Sequence, residues 1–410
     1  MTSQEPDDSG DDPLFNPDDQ IFANKDLLKI GHVPDADRIV GRDTEITKLA
    51  KRLNGAVHGY SPENVIIYGK TGTGKSLVSK HVCQRAQHAA DEEISIGTAY
   101  IDCAEDNTET QAVSSLAEKL NDEAETDISV PYTGLSTSKY YKLLWEILDI
   151  RFDSIIAILD EIDLMNSDDI LMKLSRAEEA GKIECSIGVV AISNKIQYVD
   201  NLNERVKSSF QHKELLFNPY DAHQLQQIMQ NRRDAFHPGT LSEDVIPLSA
   251  AFAAQEHGDA RKAIDIFRHA GEVAYEAGAT AVREEHVRQA QQHAEKDRFR
   301  ELITGAPTQA KAALLALATL TSAADETAFL TSRVYDQYTE ICDTIGIKRL
   351  SARRFRDILK EQAFLGIIEM KKINQGSAGG IHFQNRLIED PAVVKETIYD
   401  DSQFSAFSET

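Results

Sequence analysis

Gly69-Lys70-Thr71-Gly72-Thr73-Gly74-Lys75-Ser76 is the stretch that decides the fold of this chain. Its glycines, lysine and serine fall at every fixed position of the spacing G-x-x-x-x-G-K-[ST]. An apolar run, Asn64–Tyr68, comes before it, and a helical pattern, Leu77–Ala90, follows. Between a strand and a helix, such glycines let the backbone curl so that its N–H groups converge on phosphate oxygens. The helix N-terminus adds partial positive charge. Lys75 is then placed to meet the β- and γ-phosphates of a nucleotide, and Ser76 to ligate magnesium.

Outward from this loop, short apolar runs alternate with helical patterns from about residue 39 to 209. The clearest runs are Asn64–Tyr68, Thr98–Asp102, Ile155–Leu159, Ile187–Ser193 and Glu214–Phe217. Their length and apolarity suit a parallel sheet buried on both faces, so an α/β domain is expected. The run Ile155–Leu159 ends in Asp160-Glu161. Carboxylates at the carboxyl end of a buried parallel strand lie where such sheets bind ligands. Asp160 is expected to organise magnesium, and Glu161 to polarise an attacking water. Asp163 is expected to cap the turn that follows.

Beyond Asp221 the apolar spacing turns helical, as in Leu225, Ile228, Met229 and Ala263, Ile264, Phe267, with a break at Pro238-Gly239. This predicts a small helical domain. A second break, Gly305-Ala306-Pro307, opens a third unit. Helices near Thr308–Ala323, Thr331–Ile345 and Ala352–Ala363 precede a strand over Gly366–Ile373, a glycine-rich tip and a strand over Ile381–Phe383. Three helices and then a hairpin is the order of a winged helix.

Charge gives a mixed message. The 410 residues carry 67 acidic and 44 basic side chains, a net −23. Alone, that argues against nucleic acid as a partner, or for a high-salt cytosol in which an acidic surface preserves solubility. Yet Gly346–Ile388 contains nine basic residues (Lys348, Arg349, Arg353, Arg354, Arg356, Lys360, Lys371, Lys372, Arg386) against three acidic ones. Ser351 would cap a helix with Phe355, Ile358 and Leu359 turned to the core. Arg353, Arg356 and Lys360 would line the opposite face. Arginines in a first turn oppose the helix dipole, which suggests a use other than stability: a recognition helix in the major groove of DNA, unless this is a plain solvated face. The tip Gln375–Gly380 has no arginine, so the wing, with Lys371 and Lys372 at its base, is expected to touch only the DNA backbone. No run of 18 apolar residues predicts a membrane span. Met1 to about Gln20 reads as an acidic, disordered tail rather than a secretory signal. Cys83, Cys103, Cys185 and Cys342 form no CxxC pair, which points to a reducing cytoplasm.

Together the loop, the Leu159-Asp160-Glu161-Ile162-Asp163 acids and later segments resemble the archaeal origin-recognition and cell-division-control initiator family of AAA+ proteins, here of halophilic type, from about Ile21 to Leu387. The resemblance implies an α/β AAA+ P-loop ATPase with a five-stranded parallel sheet (21–217), a helical lid (218–300) and a C-terminal winged helix (301–410). It implies ATP or ADP with Mg2+, held by Gly69, Thr71, Gly72, Thr73, Gly74, Lys75, Ser76 and Leu77. It also implies that Val33-Pro34, Val40, Gly41 and Arg42 flank the adenine, and that Tyr220, Arg232 and, as second sensor, Arg261 reach the nucleotide from the lid. Asn194, ending Ala191-Ile192-Ser193-Asn194, would be the first sensor, although it also reads as the start of a turn. Arg205, in Glu204–Phe210, would be an arginine finger toward a neighbouring subunit; in a monomer it is a surface arginine. The insertion Glu105–Leu148, with Val130–Ser136, is similar to the family's DNA-distorting helix and equally to an ordinary helical hairpin.

The implied function is an ATP-dependent initiator in the cytoplasm, at the nucleoid. It would bind double-stranded origin DNA, with other initiator copies, and recruit or load the replicative minichromosome maintenance helicase, hydrolysing ATP slowly as a switch. Two alternatives keep the ATPase: an ATP-gated transcription regulator, and an assembly ATPase that needs no basic C-terminal patch.

Overall fold

A computed structural model describes residues 19–29, 38–255, 258–324, 326–374 and 381–407. The acidic stretch before residue 19, Val33-Pro34 and the tip Gln375–Gly380 lie outside the described residues. The chain divides into two compact units, residues 1–288 and 289–410.

The first unit begins with α1 (Asp43–Val57), β1 (Asn64–Gly69), α2 (Lys75–Ala89), β2 (Ile96–Asp102), α3 (Glu109–Leu120), α4 (Glu123–Thr126), α5 (Thr137–Arg151) and β3 (Ser154–Asp160). It continues with α6 (Asp169–Ser175), β4 (Ser186–Ser193), α7 (Tyr198–Asn201), α8 (Glu204–Ser209) and β5 (His212–Phe217). All five strands pair in parallel, in the order β2-β3-β4-β1-β5.

Strand parity sorts the side chains. In β3, Ile156 and Ile158 pack with Leu49, Leu53, Val78 and Val82 of α1 and α2. Ile155, Ala157 and Leu159 face Val113, Leu116, Leu144 and Leu148 of α3 and α5. The period of two leaves no face for water, which is why β3 and β4 are buried along their whole length.

The insertion is a pair of packed helices, α3 and α5, with the short α4 between them. Val130–Ser136 is not helical: Pro131 has no N–H, and Gly134 sits at φ +100°. The stretch is a loop, and Tyr132 at its tip is 84% exposed.

The helical part of this unit contains α9 (Ala222–Gln230), α10 (Val245–Gln255) and α11 (Ala260–Glu276), followed by α12 (Glu284–Thr304). Asp221 and Gln224 form a capping box on α9. Asp259 caps α11 through the amides of Arg261 and Lys262. These helices also receive the start of the described chain, which sequence reasoning assigned to the tail and the nucleotide domain. The Ala23 and Asn24 amides donate to the Ala235 carbonyl, and the His237 amide donates to the Ile21 carbonyl. Phe22 packs at a tilt against Phe236, and Phe236 against Phe267. Lys25 pairs with Glu272 at 2.6 Å.

The second unit holds α13 (Thr308–Ala323), β6 (Ala328–Leu330), α14 (Thr331–Ile345), α15 (Ala352–Phe364), β7 (Ile368–Asn374), β8 (Ile381–Leu387) and α16 (Pro391–Tyr399). The three-helix and hairpin order is the expected winged helix. Three features are additional. The short β6 makes the sheet three-stranded, in the order β6-β8-β7. β8 runs to Leu387 rather than Phe383. Finally, α16 and the turn after it bury Val394, Ile398 and Phe404 in the core. The polar sequence His382-Phe383-Gln384-Asn385-Arg386 hid the length of β8.

Candidate functional site

Gly74 is the N-cap of α2, at φ +84° and with no side chain capping the helix. The first-turn amides therefore face the loop's interior. Glycine is also required from outside the loop. A Cβ on Gly72 would stand 1.7 Å from Asp259 Oδ1, and one on Gly74 2.7 Å from the Tyr220 hydroxyl. The Ala260 amide donates to the Gly72 carbonyl at 3.1 Å, so the start of α11 rests directly on the phosphate loop.

Parity then assembles the chemistry. Asp160 follows Ile156 and Ile158, so it faces α2. Asn194 follows Val190 and Ile192 onto the same side. Ser76 Oγ donates to Asp160 Oδ2, and Tyr100 Oη donates to the same oxygen at 2.8 Å. The Glu161 amide donates to Asp160 Oδ1 at 3.0 Å. Glu161 itself has φ +53°, a left-handed turn that stops the strand and redirects its carboxylate. Asn194 Nδ2 donates to Glu161 Oε1 at 3.2 Å, while Lys75 Nζ donates to Asn194 Oδ1 at 2.9 Å. Lys75 also donates to the Gly69 and Lys70 carbonyls at 2.8 and 2.7 Å. Burial, and then the nearby Arg261 charge, lower the Lys75 pKa from 10.5 to about 8 against the pull of Asp160. Asp163 does not cap its turn. Its carboxylate accepts from Ser193 Oγ and the Asn194 amide, at 2.9 and 3.2 Å, and so locks the end of β4.

A cleft of about 320 Å³ connects these groups to an apolar end walled by Ile39, Val40, Ile228 and Ile264. Of the residues assigned to nucleotide from sequence, Val40, Thr71 to Leu77, Tyr220, Arg232 and Arg261 line it, as do Asp160, Glu161 and Asn194. Gly41, Arg42 and Gly69 do not. Arg42 is 3% exposed. It donates to the Thr73 and Asn218 carbonyls at 3.0 and 2.7 Å and lies 3.9 Å from the centre of the Tyr220 ring. It is a strut behind the loop rather than a wall of the cleft. Arg205 is exposed on α8 and does not line its own chain's cleft. Sequence reasoning missed Arg38, Lys80, Tyr100 and Asp102, which do line it. For Tyr100 and Asp102 the signal was available: they share the parity of Ile96, which packs on α2.

The residues fit a nucleotide. The Arg232 Nε is buried without any hydrogen-bond partner, and burial lowers its pKa. Burial likewise raises the Asp259 carboxyl. A buried guanidinium N–H is not left without a partner at no cost, and Arg232 lines the cleft, so an anionic or hydrogen-bonding ligand suits it.

In the second unit, Ser351 Oγ accepts from the Arg354 amide and caps α15. Phe355 and Leu359 are fully buried, Phe355 against Tyr335 and Tyr338. Ile358 is half-buried. Arg349, Arg353, Arg354, Arg356 and Lys360 are exposed. Among the described residues, no ion pair engages Arg353, Arg354 or Arg356. The other basic groups are less free: Lys360 pairs with Asp357 at 3.2 Å, Lys371 with Glu369 at 3.0 Å, and Arg386 with Glu369 at 3.1 Å. Lys372 is exposed. The positive charge is thus concentrated at the start of α15.

This sheet order, phosphate loop, acid pair and overlying helices define an AAA+ ATPase module, here followed by a winged helix. Family descriptions match accordingly: an AAA domain over residues 58–194, a Cdc6 AAA+ ATPase-type lid domain over 226–292, and a CDC6 C-terminal winged helix domain over 301–397. The chain is 78% identical over 403 residues to ORC1-type DNA replication protein 4 of Halobacterium salinarum, covering 98% of each. It is 46% identical to ORC1-type DNA replication protein 9 of Haloarcula marismortui, covering 92% of this chain and 91% of that one. The Aeropyrum pernix ORC1 protein, solved in complex with DNA, superposes with a TM-score of 0.75 at 33% identity, covering 95% of this chain and 100% of that one. The chain belongs to the ORC1/Cdc6-type family of DNA replication proteins. No helix among the described residues is long and apolar enough to cross a membrane.

Proposed function

We propose that this protein is an ATP-dependent replication initiator that binds double-stranded origin DNA through its winged helix and helps recruit or load the replicative helicase. The observation that carries the reading is the direct seating of α11 on the phosphate loop, at Asp259–Gly72 and Ala260–Gly72. A lid seated on the loop that would cradle the phosphates is suited to reporting nucleotide state.

Lys75 and the α2 amides would hold the phosphates, and Ser76 and Asp160 the magnesium. Magnesium, when bound, neutralises charge on the β- and γ-phosphates. Glu161 orients the attacking water, and Asn194 holds Glu161. Arg261 lies close enough to influence Lys75, and it adds positive charge from the lid. Arg205, exposed and outside its own chain's cleft, would serve a neighbouring copy on the DNA. Hydrolysis is then slow in a lone copy, which suits a switch better than a motor. The chain acts in the cytoplasm, at the nucleoid.

The test is retention of the source genome's DNA fragments at high potassium chloride, with and without ATP, followed by sequencing. Enrichment of one repeat-bearing intergenic region supports an origin binder. Enrichment of many promoters would replace this reading with a transcription regulator, and retention of nothing with a non-DNA assembly ATPase.

A further inference from the structure

Two donors besides Ser76 fix the Asp160 carboxylate, one on each oxygen. The Glu161 amide serves Oδ1, and the Tyr100 hydroxyl serves Oδ2 at 2.8 Å. If Ser76 turns its hydroxyl oxygen to magnesium, Tyr100 becomes the one side chain among the described residues still donating to Oδ2. Tyr100 is itself held from three directions. Its β2 position is paired with Ile158 of β3, two residues before Asp160. Its carbonyl accepts from Lys119 Nζ at 2.7 Å. Lys80 Nζ lies 3.5 Å from the centre of its ring. Lys80 is one helical turn after Ser76, so α2 supplies both the loop serine and the cation that pins the ring.

Resting on the proposed nucleotide function, we infer that Tyr100 is a positioning residue for magnesium: it holds Asp160 in the rotamer that accepts the metal or its waters. A carboxylate preset by two donors loses little freedom when it takes up a cation, and its remaining lone pairs stay available. Tyr100 need not touch nucleotide or metal to do this.

The test is a magnesium titration of the full chain bound to a fluorescent ADP analogue, with affinity in EDTA measured alongside. Tyr100→Phe removes one oxygen and keeps the ring and its Lys80 contact, and the EDTA arm separates any loss of nucleotide contact from a loss of magnesium. The half-saturating magnesium concentration should rise on the order of tenfold, as expected for losing one hydrogen bond to a charged group. In an Asp160→Asn background the same change should add less than about twofold, because Tyr100 acts through Asp160. An unchanged magnesium requirement, an equal loss of affinity in EDTA, or full additivity with Asp160→Asn would overturn the inference. Failure of the unsubstituted protein to bind the analogue at all would instead remove the nucleotide reading beneath it.

Discussion

Asn194 donates its side-chain N–H to Glu161, 3.2 Å from Nδ2 to Oε1, and thereby holds the carboxylate assigned to the attacking water. Replacing Asn194 with alanine frees Glu161 and removes one of three acceptors of Lys75, whose bonds to the Gly69 and Lys70 carbonyls remain. Single-turnover ATP hydrolysis should fall by about 10², the lower range for losing a well-oriented general base. Nucleotide affinity should change by only a few-fold. Unaltered hydrolysis would show that the pair has no part in the chemistry.

The depressed Lys75 pKa makes nucleotide binding depend on pH. In the free protein the group titrates at about 8 rather than 10.5. Between those values the unfolded chain binds more protons than the folded one, so nucleotide-free stability rises with pH across that window. A polyphosphate favours the ammonium, so binding near pH 8, where the free group is half protonated, should take up about half a proton. Affinity should then weaken as pH rises further, approaching about tenfold per pH unit. Calorimetry in two buffers of different ionisation enthalpy measures that proton. Equal heats at that pH, after correction for other groups, would exclude it.

Arg42 joins the phosphate loop to the start of the lid through two carbonyls and the Tyr220 ring. Arg42→Ala leaves those carbonyls without their partner and should lower unfolding free energy by about 2–4 kcal/mol. Arg42→Lys should recover little, because an ammonium cannot span both carbonyls and stack on the ring. Denaturant titration of the three proteins decides this.

At the start of α15, Arg353, Arg354 and Arg356 are the concentrated positive charge. Replacing all three with alanine should weaken DNA binding on every sequence. It should also flatten the plot of log affinity against log salt by about 0.9 for each phosphate left without its arginine. Nucleotide affinity should stay unchanged. Binding isotherms at several potassium chloride concentrations give the slope, and an unaltered slope would mean that these side chains do not meet phosphates.

Much of this architecture was legible because it repeats. The loop spacing, the alternation of apolar strands with helices, and the acids after Leu159 are local patterns, and each led to the right element. Parity within β2 would also have revealed Tyr100, had the strand been read one face at a time. Other features depend on distant parts of the chain meeting, and they leave no local trace. Arg42 looked like a cleft residue, but its guanidinium turns under Tyr220 and bonds the carbonyl of Asn218, 176 residues away. Arg232 is one arginine among many until its burial is known. Residues 19–28 have no periodicity and follow an acidic run, so nothing in them announced that Ile21 and Leu28 would be completely buried.

That early segment changes what the lid is. Phe22 lies where a Cβ on Gly271 would approach its Cζ to 2.4 Å, so the small residue in α11 and the large one near the start of the chain are cut to each other. The lid is therefore a mosaic of two distant stretches and not a portable module. A lid transplanted between relatives as one continuous segment would arrive with a mismatched seam along α11. A graft that carries its own residues 19–28 would bring both halves of the joint.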